Sequence, residues 1–170
     1  MKSSEINYRH PTIDDGSNIY SLVKSCPPLD VNSQYFYYIL CNDFSNTCVV
    51  AEYDRTLLGF VLAYSKPEKP QSLFVWQVAV AKHTRRKRLA LNMLDWLIRQ
   101  PKCINIQFME TTISPLNQNS QKLFVRFAKD HNANFQTRLF LDKSNFDNES
   151  HEEEILYTIF PLNLKNKQRS

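Results

Sequence analysis

The sequence predicts an α/β fold: a mixed, mostly antiparallel central sheet of about seven strands flanked by about four helices. Three observations predict it. Short alternating or unbroken apolar stretches are interspersed with segments whose apolar residues recur every three to four positions. The run LFVWQVAVA at 73–81 is apolar on both faces, as expected of a central strand covered on each side. A knot of basic residues follows that strand at once and opens a helix.

Residues 6–10 read as a short first strand. Thr12-Ile13-Asp14-Asp15 reads as a capping box, in which hydroxyl and carboxylate satisfy the free N–H groups of a helix start. Ile19, Leu22 and Val23 follow at helical spacing, and Cys26-Pro27-Pro28 ends that helix because proline offers no N–H. Asn32 or Ser33 can cap a second helix running to about Cys41, rich in aromatics (Tyr35, Phe36, Tyr37, Tyr38). Residues 47–53 form a strand, Asp54-Arg55 a tight turn, and 57–64 the antiparallel partner. The segment KPEKPQ reads as a loop before the strand at 73–81.

A third helix spans about 89–99, with Leu91, Leu94, Leu97 and Ile98 on one face. A strand at 104–111 and a fourth helix at 117–131 follow, the latter striped by Leu123, Phe124, Phe127 and Ala128. Residues 135–141 and 155–160 close the sheet around an acidic loop. The chain shows no repeat and no linker, so residues 1–170 are expected to form one domain, with the tail 162–170 disordered.

Composition narrows the chemistry. The two glycines, Gly16 and Gly59, are too few for a GxGxxG dinucleotide loop, a Walker-type P-loop or a G-x-S-x-G elbow. Cys26, Cys41, Cys48 and Cys103 show no metal-ligand spacing with any histidine and are expected to be reduced, half-buried hydrophobes. No apolar run approaches the ~20 residues of a membrane helix. Nor does the N-terminal segment carry a signal-peptide stretch, so a cytoplasmic protein is expected.

Net charge is +4, but its placement is more informative. Five basic residues lie between Lys82 and Arg88, whereas six acids and one lysine lie between Asp142 and Glu154. The basic turn at a helix start, where free N–H groups and the helix dipole favour anions, suits a nucleotide pyrophosphate or 3′-phosphate. A solvated turn without ligand is the plain alternative. A nucleic-acid surface needs basic residues spread along a face among aromatics, and here they are packed into one turn.

RRKRLA at 85–90 after VAVA, together with the element order, resembles the acetyl-CoA motif of the GNAT N-acetyltransferases, a three-layer fold. Four longer blocks are more specific: CPPLDVNSQYFYYILCNDFSNTCVVAE (26–52), LFVWQVAVA (73–81), METTISPLNQNSQKLF (109–124) and HEEEILY (151–157). In that order and spacing they resemble the diaminobutyrate acetyltransferase family of ectoine biosynthesis, over roughly residues 8–160. The resemblance implies direct acetyl transfer from acetyl-CoA, as co-substrate, to the side-chain amine of L-2,4-diaminobutyrate, with no metal, no nucleic acid or membrane partner, and a homodimer.

The resemblance also implies a set of site residues. Asp30 and Glu154 would hold the ammonium groups, with Tyr35, Trp76, Glu110, Thr111 and His151 nearby. Glu110 would act as base through water, and, with Phe124 at the position of the usual acid tyrosine, the acid would be Tyr35 or bulk water. Val78, Ala79 and Val80 would meet the pantetheine arm and the thioester oxygen through their backbone. Arg85, Arg86, Lys87, Arg88, Leu89 and Ala90 would take the phosphates, and Asn117 and Ser120 would line the CoA arm. Plain alternatives stand beside these roles: Asp30 as a helix cap, Trp76 as core, and Glu152-Glu153 as a solvated charge run. The chain departs from the family pattern at Arg88, which stands where the motif has glycine, and at Phe124, where many members have tyrosine.

Overall fold

The computed structural model describes residues 6–146 and 152–162. Among these residues, seven strands form one sheet in the order β1-β2-β3-β4-β5-β7-β6, accompanied by four α-helices. The chain divides into two compact units: one built from the chain up to Ser65 together with Val75–Ile104, the other from Lys66–Phe74 and the chain from Asn105 on.

In the first unit, β1 (Asn7–Arg9) lies antiparallel to β2 (Val49–Tyr53). Asp54 and Arg55, both at positive φ, make the tight turn into β3 (Thr56–Lys66). Helix α1 (Gly16–Lys24) follows a 3-10 turn over Ile13–Asp15, where the Asp15 carboxylate accepts the Thr12 N–H at 2.7 Å. Helix α2 (Gln34–Asp43) packs so tightly on α1 that a Cβ at Gly16 would stand 2.6 Å from the Tyr38 ring. Ile19, Val23, Tyr37, Leu40, Cys41, Cys48, Val50, Phe60, Leu62 and Ala79 form the core. Helix α3 (Leu89–Leu97) buries Leu89, Leu91, Met93, Leu94 and Leu97.

In the second unit, the first half of β4 (Lys69–Val80) runs parallel to β5 (Phe108–Ile113), pairing Ser72, Leu73 and Phe74 with Phe108, Met109 and Glu110. Strand β7 (Glu154–Phe160) lies antiparallel to both β5 and β6 (Asn134–Leu141). Helix α4 (Gln118–Asp130) buries Phe124, Phe127 and Ala128.

Three sequence expectations are corrected. The KPEKPQ loop is a hairpin: β3 reaches Lys66 and β4 restarts at Lys69, with only Pro67-Glu68 between them. Strand β5 begins at Phe108 rather than 104: Ile104, Ile106 and Phe108 alternate in the sequence as a strand would, but residues 101–105 form a turn and 106–107 an irregular lead-in, in which Ile106 is nonetheless buried. Finally, β4 is covered on both faces only at 72–75. Beyond that point it alternates, with Trp76 45% exposed, Gln77 buried and Val78 half-buried.

Candidate active site

The basic turn is assembled in the first unit. Strand β4 ends at Val80, and the Ala81 N–H donates to the Leu58 carbonyl at 2.8 Å. A 3-10 turn over Lys82–Thr84 follows, fastened by the buried Thr84 hydroxyl, which donates to the Ala81 carbonyl at 2.8 Å. Arg86 and Arg88 then adopt left-handed backbone, at φ 63° and 60°, and Arg88 caps α3. Position 88 therefore has the conformation that favours glycine, and the chain holds it with a Cβ present, at a cost of order 1 kcal/mol. Arg85 through Arg88 are all exposed, four cations around one helix start, while Leu89 is buried and anchors the helix.

Two contacts fix the strand feeding this turn. Arg85 Nη2 donates to Cys26 Sγ at 3.6 Å, and the Cys26 thiol reaches the Val80 carbonyl at 3.7 Å. On the β3 side, a Cβ on Gly59 would stand 2.8 Å from the Ala79 carbonyl oxygen, so glycine there permits the close approach of β3 to Ala79 and Val80. Ala79 is buried, whereas Val78, Val80 and Ala90 are half-buried.

The aromatic helix and β4 form a second arrangement in the same unit. Tyr37 is fully buried: its hydroxyl accepts the Asn32 N–H at 3.2 Å and donates to Gln77 Oε1 at 3.3 Å. Gln77 Nε2 in turn donates to the Asp30 backbone carbonyl at 2.8 Å. This chain of bonds ties residues 30–37 to β4 and settles Asp30 at its exposed position. Asp30 does not cap α2, because Ser33 occupies that place. Trp76 is not core: it is exposed, with its ring 5.3 Å from that of Phe36. Tyr35 points outward, 72% exposed. The sequence reading missed Tyr37 and Gln77, although a lone glutamine within LFVWQVAVA was a visible signal.

In the second unit, Glu110 sits in the middle of β5, 5% exposed. Its carboxylate accepts from Lys66 Nζ at 2.6 Å and from Lys69 Nζ at 3.4 Å, and Lys69 Nζ also lies 3.8 Å from the Phe108 ring centroid. Burial raises the Glu110 pKa, but the hydrogen bond and charge of Lys66, reinforced by Lys69, outweigh it and hold the carboxyl below its ordinary value. Neither lysine was visible as a partner in the sequence, because KPEKPQ read as a loop.

Thr111 is buried on the opposite face of β5, paired with Tyr157. Glu154 opens β7 opposite Leu141, whereas Glu110 faces Thr158, so the two carboxylates are not paired across the strands. Asn117 caps α4: its side-chain oxygen accepts the Ser120 N–H at 3.2 Å, which is a structural role for both residues. His151 lies outside the described residues. All four cysteines are free and buried, with burial pushing the thiols of Cys41 and Cys48 up to about 12 and that of Cys103 to about 11. Among the described residues no cluster of histidine, cysteine and acidic side chains could hold a metal ion, and no helix is long and apolar enough to cross a membrane.

Residues 17–128 match the acetyltransferase (GNAT) family model. An L-2,4-diaminobutyric acid acetyltransferase of Bordetella parapertussis is 41% identical over 155 residues, covering 91% of this chain and 83% of its own. The chain belongs to that family, within the GNAT acetyltransferases. The family relative of Vibrio cholerae is 40% identical over 159 residues, covering 94% of this chain and 91% of its own. Among solved structures, diaminobutyrate acetyltransferase EctA from Paenibacillus lautus, in complex with its substrate L-2,4-diaminobutyric acid and coenzyme A, superposes with a TM-score of 0.90 at 38% identity. That match covers 93% of this chain and 96% of the other.

Proposed function

We propose that this protein transfers an acetyl group from acetyl-CoA to the side-chain (N4) amine of L-2,4-diaminobutyrate, the acetylation step of ectoine biosynthesis. The observation that carries the reading is its likeness, over nearly the whole chain, to an enzyme solved with that substrate and coenzyme A. The exposed cations of the turn at 85–88 and the left-handed backbone at Arg86 and Arg88 suit a nucleotide pyrophosphate, which Leu89, Ala90, Asn117 and Ser120 would flank.

The chemistry assigns work to the chain's own groups. The amine, with a pKa near ~10, must lose a proton before it attacks the thioester carbon. Glu110, held as the anion, would accept that proton through water, since its own pKa is too low to take it directly. The Val78 backbone N–H would meet the developing oxyanion while Val80 steadies the pantetheine arm, the C–S bond breaks, and Tyr35 would protonate the departing thiolate. Asp30, Trp76, Thr111, His151 and Glu154 would frame the diamine. In this reading residues 1–170 work as one domain, in the cytoplasm, as a homodimer.

A thiol-release assay with acetyl-CoA tests the assignment, with diaminobutyrate, ornithine, lysine and spermidine as acceptors. The expected result is turnover with diaminobutyrate at least about tenfold above the others in kcat/KM, a difference of about 1.4 kcal/mol in transition-state binding. Equal or greater turnover with another amine would replace the substrate. Thiol-free mixtures from a folded protein that still binds acetyl-CoA would replace the enzyme with a cofactor-binding relative.

A further inference from the structure

The two lysines on Glu110 exceed what simple charge neutralisation requires. One ammonium at 2.6 Å already satisfies one carboxylate oxygen, and the second addresses the other oxygen from the far side of a two-residue turn. Because Lys66 and Lys69 flank Pro67-Glu68, a single hairpin presents both cations. Both lysine side chains remain partly solvated, 36% and 46% exposed, so the hairpin supplies charge without burying it, whereas the carboxylate is 6% exposed. Lys69 is further steered by the Phe108 ring beneath it. The groups facing Glu110 across the neighbouring strands are Phe74 on β4 and Thr158 on β7, both uncharged, so the charge acting on the carboxylate comes from the two lysines.

We propose that Lys66 and Lys69 are positioning residues for acetyl transfer, pinning Glu110 as an anion in one orientation. This rests on the reading of Glu110 as the proton acceptor. A buried carboxylate without them would drift toward its protonated form as pH falls, and a protonated Glu110 accepts nothing. With them, the substrate amine is the group whose protonation limits the acid side.

The pH profile of kcat/KM reads this directly. Wild type is expected to fall on the acid side with a slope of one, set by the amine. In Lys66→Met/Lys69→Met the slope steepens toward two as Glu110 titrates as well, so the ratio of variant to wild-type activity falls with pH, approaching a loss of about tenfold per pH unit once Glu110 protonates. Lys66→Arg/Lys69→Arg keeps the charges and is expected to retain the wild-type profile. A purely structural role would lower activity equally at every pH, and a parallel profile therefore overturns the proposal. Carboxyl-carbon NMR, with the Glu110 signal assigned through Glu110→Gln, gives a second readout. The midpoint is expected to rise in the double methionine variant, and an unmoved midpoint also overturns the proposal. Should the double variant not fold, the single exposed substitution Lys69→Met carries the same two tests with a smaller shift. A fully active Glu110→Gln would instead overturn the proton-acceptor reading beneath the proposal.

Discussion

Arg88 concentrates the conflict between backbone and side chain in this protein. Its φ of 60° is left-handed, a region that a Cβ disfavours, yet its carbonyl accepts the Asn92 N–H at 2.9 Å in the first turn of α3. The motif's departure from glycine thus leaves the local backbone in the glycine-like conformation and adds a guanidinium at the mouth of the helix. If that guanidinium pairs with a phosphate, Arg88→Ala and Arg88→Gly should each raise the KM for acetyl-CoA about tenfold with kcat little changed, the loss of one charge-assisted hydrogen bond. The two variants separate charge from strain. Glycine relieves the left-handed cost of order 1 kcal/mol, so Arg88→Gly should melt higher than Arg88→Ala. An unaltered KM in both would make Arg88 a solvated cap.

The aromatic helix shows how an element can be read correctly and its key residue missed. Periodicity and the Ser33 boundary place α2 well, but four aromatics in a row cannot be ranked by spacing alone. The structure ranks them: Tyr35 is turned to solvent while Tyr37 is buried, with its hydroxyl bonded on both sides. Burial of one hydroxyl depends on a partner forty residues away, Gln77, and such pairs are invisible to local patterns. The β3–β4 hairpin is hidden from local patterns for a related reason. Two prolines and two lysines in six residues signal a loop, yet proline is tolerated where its missing N–H lies outside the ladder, and the lysines found a carboxylate on β5. Tyr37→Phe tests the α2–β4 tie. Removing the hydroxyl strands Gln77 Oε1 and the Asn32 N–H, so about 1 kcal/mol of stability should be lost in urea denaturation. Because the same bonds settle Asp30, the KM for diaminobutyrate should rise while that for acetyl-CoA holds.

Both units lean on the same device: a buried or half-buried carboxylate clamped by cations, Asp15 and Glu52 by Arg9 in the first, and Glu110 by two lysines in the second. The family, element order and basic turn were legible in the sequence because they are local or blockwise. These clamps were not, because apart from Arg9–Asp15, six residues apart, each joins residues distant in the chain that strand pairing brings together, as when β1 sets Arg9 beside β2 and Glu52. Their shared consequence is a prediction about acid. For Asp15, burial raises the pKa but Arg9 and Thr12 outweigh it, and Arg9 and Asn7 lower that of Glu52 against a smaller burial effect. A carboxylate whose native pKa lies below its unfolded value, here 3.8 or 4.5, adds stability above that value and loses it as pH falls through the native one. Unfolding free energy should therefore climb from pH 3 to about 5 and level off above that. Arg9→Met removes the clamp in the first unit and leaves the burial of Asp15 unopposed. Arg9 is itself 34% exposed, so the loss at pH 7 should be about 1–2 kcal/mol, less than for a fully buried pair. At pH 3, below the unfolded values of 3.8 and 4.5, wild type has lost part of that contribution, so the difference should be smaller than at pH 7. Urea denaturation at the two pH values decides between charge and packing, since an equal loss at both would mean that Arg9 stabilises through its alkyl stem rather than its guanidinium.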